Sequence, residues 1–306
     1  MAHHTFAPSF YHNTLGWHEP VLTVEPGDAI STTTVDARGY DAAGQQVAER
    51  GNPQTGPFAV RGAEPGDTLV VTLDALRPSR RRGWTSRRIA ANVLEPGHAS
   101  SFAQLEGTAE WEVDAAAGTA RLIDPAGPLA SVDLHLDPMV GCFGVAPSGR
   151  QAIATSTSST HGGNMDYRGF RQGVKVYFPV FAPGGLFSIG DGHAVQGDGE
   201  IIGTGIEISF DVTFTLDLVK GRTIGWPRAE SPDYYMTVGN ARPLDQCVQH
   251  STSEMVRWLI GDLGLDAQSV HLMMGQCVEY DLGNIFDPAY TMVCKVPRSM
   301  VSRLAG

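Results

Sequence analysis

Hydrophobic and polar positions alternate most regularly in "IGTGIEISFDVTFTLDLV", Ile202 to Val219. Counting from Ile206, the residues Ile208, Phe210, Val212, Phe214, Leu216 and Leu218 fall on one face. Glu207, Ser209, Asp211, Thr213, Thr215 and Asp217 fall on the other. A period of two over about a dozen residues predicts a half-buried antiparallel strand. "GVKVYFPVF" (173–181) and "SVDLHLDPMV" (131–140) carry weaker versions of the pattern. Pro-Gly-Asp turns open two more strands, in "VEPGDAI" (24–30) and "AEPGDTLVVTL" (63–73), which hints at a duplicated strand–turn unit. Turns recur at short spacing through the first 220 residues, so the expectation is a sheet-rich sandwich burying two inner faces.

The pattern changes after residue 225. In "LDQCVQHSTSEMVRWLIGDLGL" (244–265), Val248, Met255, Val256, Leu259 and Ile260 recur at helical spacing, with Gly261 or Gly264 placed to end the helix. Asp266 is a candidate cap for a second helix, "AQSVHLMMGQC", and "TMVCKVP" reads as a strand after "FDPAY". The expected organisation is a β-sandwich over 1–225 and an α+β portion over 226–306 packed on it. His250 and His271 lie in these helices and read as surface or internally satisfied histidines.

Composition narrows the function classes. The chain has 306 residues, 42% hydrophobic and 18% charged, with 36 Gly and 19 Pro, which suits strands and turns around a core. A net charge of −11 makes nucleic acid a poor partner. The one basic cluster, "SRRRGWTSRR" (79–88), reads as a solvated loop. No apolar run is long enough to span a membrane. "MAHHTFAPSF" lacks a basic-then-apolar leader, and Cys142, Cys247, Cys277 and Cys294 form no C-x-x-C pair, so the expectation is a cytoplasmic protein with reduced thiols.

Candidate chemistry concentrates between residues 161 and 207. "STHGGNMD" supplies His161, Asn164 and Asp166; "GDGHAVQGDGE" supplies Asp191, His193, Gln196, Asp198 and Glu200; Glu207 follows. Glycines let such loops bring several polar side chains to one point. Imidazole and carboxylate are ligands that zinc accepts, a spare carboxylate can act as general base, and a side-chain amide can hold a carbonyl or a water. Other catalytic devices fit poorly. The hydroxyls of "STSST" (156–160) have no suitable lysine and no G-x-S-x-G elbow. Cys142 in "GCFGVAP" has no lysine partner and reads as a core residue.

The motifs "HGGNMD", "PVFAPGGLFSIGDGHAVQGDGEIIGTGIE" and "GWPRAESPDYY" resemble the acetamidase/formamidase family. The similarity extends to "HEPVLTVEPGDAI", the "VDA" containing Asp36, "NPQTGPFAVRGAEPGDTLVVTL" and "GCFGVAPSG", nearly the whole chain. The resemblance implies a jelly-roll-like β-sandwich with an α+β C-terminal portion, a homo-oligomer, and hydrolysis of small linear amides to carboxylate and ammonia. It also implies a divalent metal, zinc in the first instance with calcium as the alternative. Mapped onto this chain, it implies His193, Asp191, Asp166 and His161 as metal ligands, Glu200 as the proton-transferring base, and Asn164 and Gln196 as groups orienting the amide. It leaves open whether Asp36, His12 or Glu207 joins the site. Two alternatives stand beside it: metal-free hydrolysis assisted by Asp166 or Glu200, and a non-catalytic sandwich binding calcium or carbohydrate. The 155–207 segment is poor in Trp, which weakens sugar stacking. "YRGFRQG" and "SRRRGWTSRR" depart from the family's pattern, and if either walls the pocket the preferred amide is left open.

Overall fold

The two Glu-Pro-Gly-Asp segments fold alike. In each, the Asp N–H donates to the Glu carbonyl (3.1 and 3.0 Å), and the Asp carboxylate accepts from the Glu N–H (3.2 and 2.8 Å). Gly27 and Gly66 sit at φ 88° and 98°, which an L side chain rarely adopts. The turns launch strands Asp28–Thr33 and Thr68–Pro78, and both pair with Phe210–Val219.

The computed structural model describes residues 1–123 and 127–304. The chain is mainly β, with several sheets and a C-terminal helical portion. The largest sheet orders nine strands: His3–Thr5, Asp28–Thr33, Phe210–Val219, Thr68–Pro78, Lys175–Pro179, Arg228–Glu230, Tyr234–Ala241, Tyr290–Pro297 and Glu279–Asn284. A second orders six: Ser158–Ser159, Gly162–Asn164, Met139–Gly144, Phe187–His193, Thr55–Val60 and Leu22–Val24. Their apolar faces share one core, where Phe143 meets Phe178 at 5.5 Å, Phe187 meets Phe214 at 5.2 Å and Phe58 meets Phe214 at 5.4 Å, all edge-on. A smaller four-stranded sheet orders Asp133–His135, Thr119–Leu122, Thr108–Asp114 and Arg82–Ser86.

Several elements differ from the periodicity reading. The long alternation is divided. Phe210–Val219 is the strand, while Ile206–Ser209 makes bridges to Trp84 on one side and His193 on the other. The segment 131–140 contributes to two different sheets, through Asp133–His135 and the start of Met139–Gly144. The basic cluster is no solvated loop. Arg82–Ser86 is a strand, and Arg80 pairs with the buried Asp36. A guanidinium forms such a pair because an isolated buried carboxylate is costly.

The tail adds four strands to the nine-stranded sheet and lays helix Leu244–Arg257 across it. A single π turn, Trp258–Asp262, extends this helix past Gly261, and the chain then reverses at Gly264 with φ 71°. Asp266 caps helix Ala267–Cys277, accepting from the Ser269 N–H at 2.9 Å. The long helix sits so close to strand Tyr234–Ala241 that a Cβ at Gly239 would lie 2.1 Å from the Cys247 carbonyl oxygen and 2.7 Å from the Ser251 nitrogen. Both are backbone atoms that cannot rotate away. Gly239→Ala is therefore expected to cost about 1–3 kcal/mol, as overpacking does. Thermal or denaturant unfolding checks this, and an unchanged midpoint would show that the helix is free to lift.

Candidate active site

Strand Met139–Gly144 runs between Gly162–Asn164 and Phe187–His193, pairing Cys142 with Asn164 and with Gly190, and Met139 with His193. This register brings the two Gly-rich motifs side by side. Gly141 lies between them. A Cβ there would fall 2.2 Å from Asp166 Oδ1, 2.5 Å from Asp191 Oδ2 and 3.2 Å from His193 Cε1, so the three side chains converge over a glycine. Gly205 makes room on the other side, where a Cβ would lie 2.5 Å from the His193 ring.

Six ionisable side chains are buried here: Asp166, Asp191, His193, Glu200, Glu207 and Asp287. They form three overlapping groups, Asp166/Asp191/His193, His193/Glu200/Glu207 and Asp166/Glu200/Asp287, whose ligand atoms lie within 4.8 Å of one another in each. Asp166, Asp191 and Glu200 hold φ of 44°, 59° and 46°, uncommon for residues with a side chain. Asn52, at φ 63°, donates to Asn164 Oδ1 at 2.7 Å. Strained backbone thus gathers at the pocket.

Hydrogen bonds assign the orientation of the amides and of the imidazole. Gln196 Nε2 donates to the carbonyl oxygens of Asp166 (2.5 Å) and Gly283 (3.4 Å), so Gln196 Oε1 faces His193 Nδ1 at 2.8 Å. Nδ1 therefore carries the proton, which turns Nε2 toward Glu207 Oε1 (2.9 Å) and Asp191 Oδ1 (3.4 Å). Asn284 Oδ1 accepts from the N–H groups of Phe286 and Asp287, which leaves Nδ2 facing three carboxylates. Asp166 Oδ2, Glu200 Oε2 and Asp287 Oδ2 each lie 2.8 Å from it. Two hydrogens cannot serve three acceptors.

Charge is short of partners as well. Asp166 Oδ1 and Glu207 Oε2 are buried without a hydrogen-bond partner among the described residues, and His193 Nε2 has carboxylate oxygens of Glu207 and Asp191 beside it. Burial pushes the Asp166 carboxyl well above its usual range, and Glu200 and Asp191 push it further. Burial likewise lifts Glu200 against the pull of His193. It lifts Glu207 to about 7, again opposed by His193, and Asp287 to about 6 despite its amide donors. Burial disfavours a charged His193, but Glu207 and Asp191 outweigh it and raise its pKa well above the ordinary value. The cluster holds protons that free carboxylates would shed. One imidazole nitrogen and several carboxylate oxygens, two of them without a hydrogen-bond partner, are a donor set that a divalent cation satisfies, and such an ion displaces those protons.

The structure brings together Asp166, Asp191, His193, Glu200 and Glu207. Asn164 lines the same pocket, donating to Asp287 Oδ2 at 2.5 Å. Gln196 is adjacent, but both of its polar ends are taken by His193 and backbone carbonyls. His161 lies outside the three groups, buried with Nε2 unpartnered. His12 stacks on His18 at 3.8 Å away from the cluster. Asp36 supports the pocket wall. It accepts from the Arg38 and Tyr40 N–H groups and from Trp84 Nε1, and pairs with Arg80. Cys142 is a buried core residue whose Sγ donates to the Thr155 carbonyl at 3.3 Å. Asn284, Asp287 and Trp84 were missed. The signal for the first two was "GNIFDP", an Asn-x-x-Asp turn read only as the approach to a strand.

The family model described as "Acetamidase/Formamidase family" matches residues 7–152 and 149–297. The acetamidase of Mycolicibacterium smegmatis is 30% identical over 216 residues, covering 55% of this chain and 53% of its own length. The chain spans between about half and 63% of the length of the curated relatives it matches. The crystal structure of a predicted acetamidase/formamidase from Thermoanaerobacter tengcongensis superposes with TM-score 0.83 at 25% identity, covering 99% of this chain and 98% of that one. An acetamidase structure from Yersinia enterocolitica gives 0.81 at 28%, covering 98% and 93%.

The buried His161 carries a prediction. Burial lowers its pKa to about 4 from the ordinary 6.5. Between those values the unfolded chain takes a proton that the folded chain refuses, so stability rises with pH across that window and is lost as pH falls. At ~1.4 kcal/mol per unit the full effect is on the order of 3 kcal/mol. His161→Phe is expected to flatten the slope of unfolding free energy between pH 4 and 6.5. An unchanged slope would place the titration elsewhere.

Proposed function

The chain belongs to the acetamidase/formamidase family, and from that membership together with its buried acid cluster we propose that it hydrolyses the C–N bond of small linear amides, giving carboxylate and ammonia. The observation that carries this reading is the convergence of His193 with Asp166, Asp191, Glu200 and Glu207 in overlapping groups of ligand atoms, beside a pocket that Asp191, Glu200, Glu207 and Asn164 line.

The residues divide the work. Asp191, His193, Asp166 and Glu207 are the set that would hold a divalent ion, zinc being the best match to one imidazole with carboxylates. When bound, the ion supplies Lewis acidity, acidifying a water and polarising an amide carbonyl. Glu200 uses Oε2 on Asn284 and lines the pocket. Its raised proton affinity suits a group that takes a proton from water and returns it to the departing nitrogen. Gln196 is a positioning residue, holding the His193 tautomer so that Nε2 points at the carboxylates. Asn284 stabilises the carboxylates by offering them N–H donors, and Asn164 borders the space where the amide would sit. The reading extends to a cytoplasmic enzyme working as a homo-oligomer.

Ammonia release from formamide, acetamide and propionamide, with metal content measured on the same preparation, tests the reading. Release that is lost on chelation and restored by zinc is the expected outcome. Release from metal-free protein would keep the amidase and reject the metal, leaving Asp166 or Glu200 to activate water directly. No release from any short amide would reject the activity. Glu200→Gln removes the proton carrier and keeps the shape. It is expected to lower kcat by about 10²–10⁴-fold, the usual worth of a general base, with bound metal retained. Near-normal turnover would reject Glu200 as the base.

A further inference from the structure

The pocket has two ends of opposite charge. Its inner wall carries Asp191, Glu200, Glu207 and Asp287, while its mouth carries Trp84, Arg38 and Arg50. Its volume of about 230 Å³ is far above the ~10–15 Å³ that one water needs, so four-atom acetamide leaves most of it unfilled.

Arg38 is unusual among the cations around it. Arg80, close by, is spent on Asp36. The Arg38 guanidinium lies 3.6 Å from the centroid of the Trp84 ring and makes no ion pair among the described residues. Its support is rigid. Trp84 is anchored through Nε1 to Asp36 Oδ2 at 3.0 Å, the Arg38 backbone N–H donates to Asp36 Oδ1 at 2.9 Å, and the Trp84 backbone is bonded to Glu207 in both directions. A guanidinium held over an indole face still has N–H groups to offer, and their fork matches a carboxylate. The contact with the anchored indole restricts the guanidinium before a ligand arrives, which favours binding. A neutral amide of two or three carbons gains nothing from a cation at the mouth. An amide with a carboxylate at its far end reaches Arg38 while its amide group sits among the carboxylates.

Resting on the amidase reading, we propose that Arg38, presented by Trp84, selects amides whose far end is anionic. The substrate class is the monoamides of short dicarboxylic acids, cleaved at the amide end to the dicarboxylate and ammonia. Arg50, exposed on the same rim, adds to the attraction.

The test compares kcat/KM for the monoamides of malonic and succinic acid with that for acetamide and propionamide, in the wild-type chain and in Arg38→Ala and Arg38→Lys. The wild type is expected to prefer the monoamides by at least tenfold at low salt, the preference shrinking as salt rises. In Arg38→Ala the ratio of monoamide to propionamide is expected to fall at least tenfold, mainly through KM. Arg38→Lys, which keeps charge without the planar fork, should recover part of it. Hydrolysis of acetamide without preference for the monoamides overturns this inference and leaves the amidase reading standing. An equal loss on all substrates in Arg38→Ala also overturns it, because Arg38 would then only offset the charge of the inner wall. No hydrolysis of any amide rejects both.

Discussion

The site rests on one imbalance: five buried carboxylates share one imidazole and two side-chain amides. The carboxylates are at most 8% exposed, so bulk water offsets little of this charge. Asn284 offers two hydrogens to three acceptors, and His193 Nε2 faces two carboxylates at once. A fold keeps such an arrangement only where bound cations or protons complete it, since unpaired buried charge is otherwise costly. Much of the surrounding architecture follows from holding these groups together: the glycines at 141 and 205, the carboxylates on left-handed backbone, and the second row of amides at Asn52, Asn164 and Gln196.

The sandwich makes this possible by setting register. Because Met139–Gly144 pairs with both motif-bearing strands, a one-residue slip would turn its neighbours' side chains to the opposite face. The same logic explains Glu207. It sits on the polar side of the alternating run, yet that side is turned into the pocket where the segment bridges Trp84 and His193.

Much of the fold could be read from the chain because local rules and tertiary packing agree there. The Glu-Pro-Gly-Asp turns, the apolar face of Phe210–Val219, the Asp266 cap and the reversal at Gly264 follow from residue chemistry within a few positions. The core of the site was legible for a related reason, since Asp166, Asp191, His193, Glu200 and Glu207 crowd into some forty residues. The remainder depends on distance along the chain. Asn284 lies 118 and 84 residues from the Asp166 and Glu200 carboxylates that it faces, and Asp287 lies 123 residues from the Asn164 amide that it accepts from. The partnership of Arg80 and Trp84 with Asp36 turns a string of arginines into a wall, and no local pattern announces it. Gln196 carries the right chemistry, but its direction is set by two carbonyls that belong to other elements.

The placement of Asn284 on the outermost strand of the nine-stranded sheet has a consequence for biosynthesis. Chains emerge from the ribosome N-terminal part first. The segment holding Asp166, Asp191, Glu200 and Glu207 is complete some eighty residues before Asn284 and Asp287 are made. During that interval the carboxylates of Asp166 and Glu200 lack the amide that binds them both. The wall built from Asn284 and Asp287 is added only when the last strands dock, so a chain arrested before residue 284 would carry the Asp166, Asp191 and His193 group without the amide that joins Asp166 to Glu200.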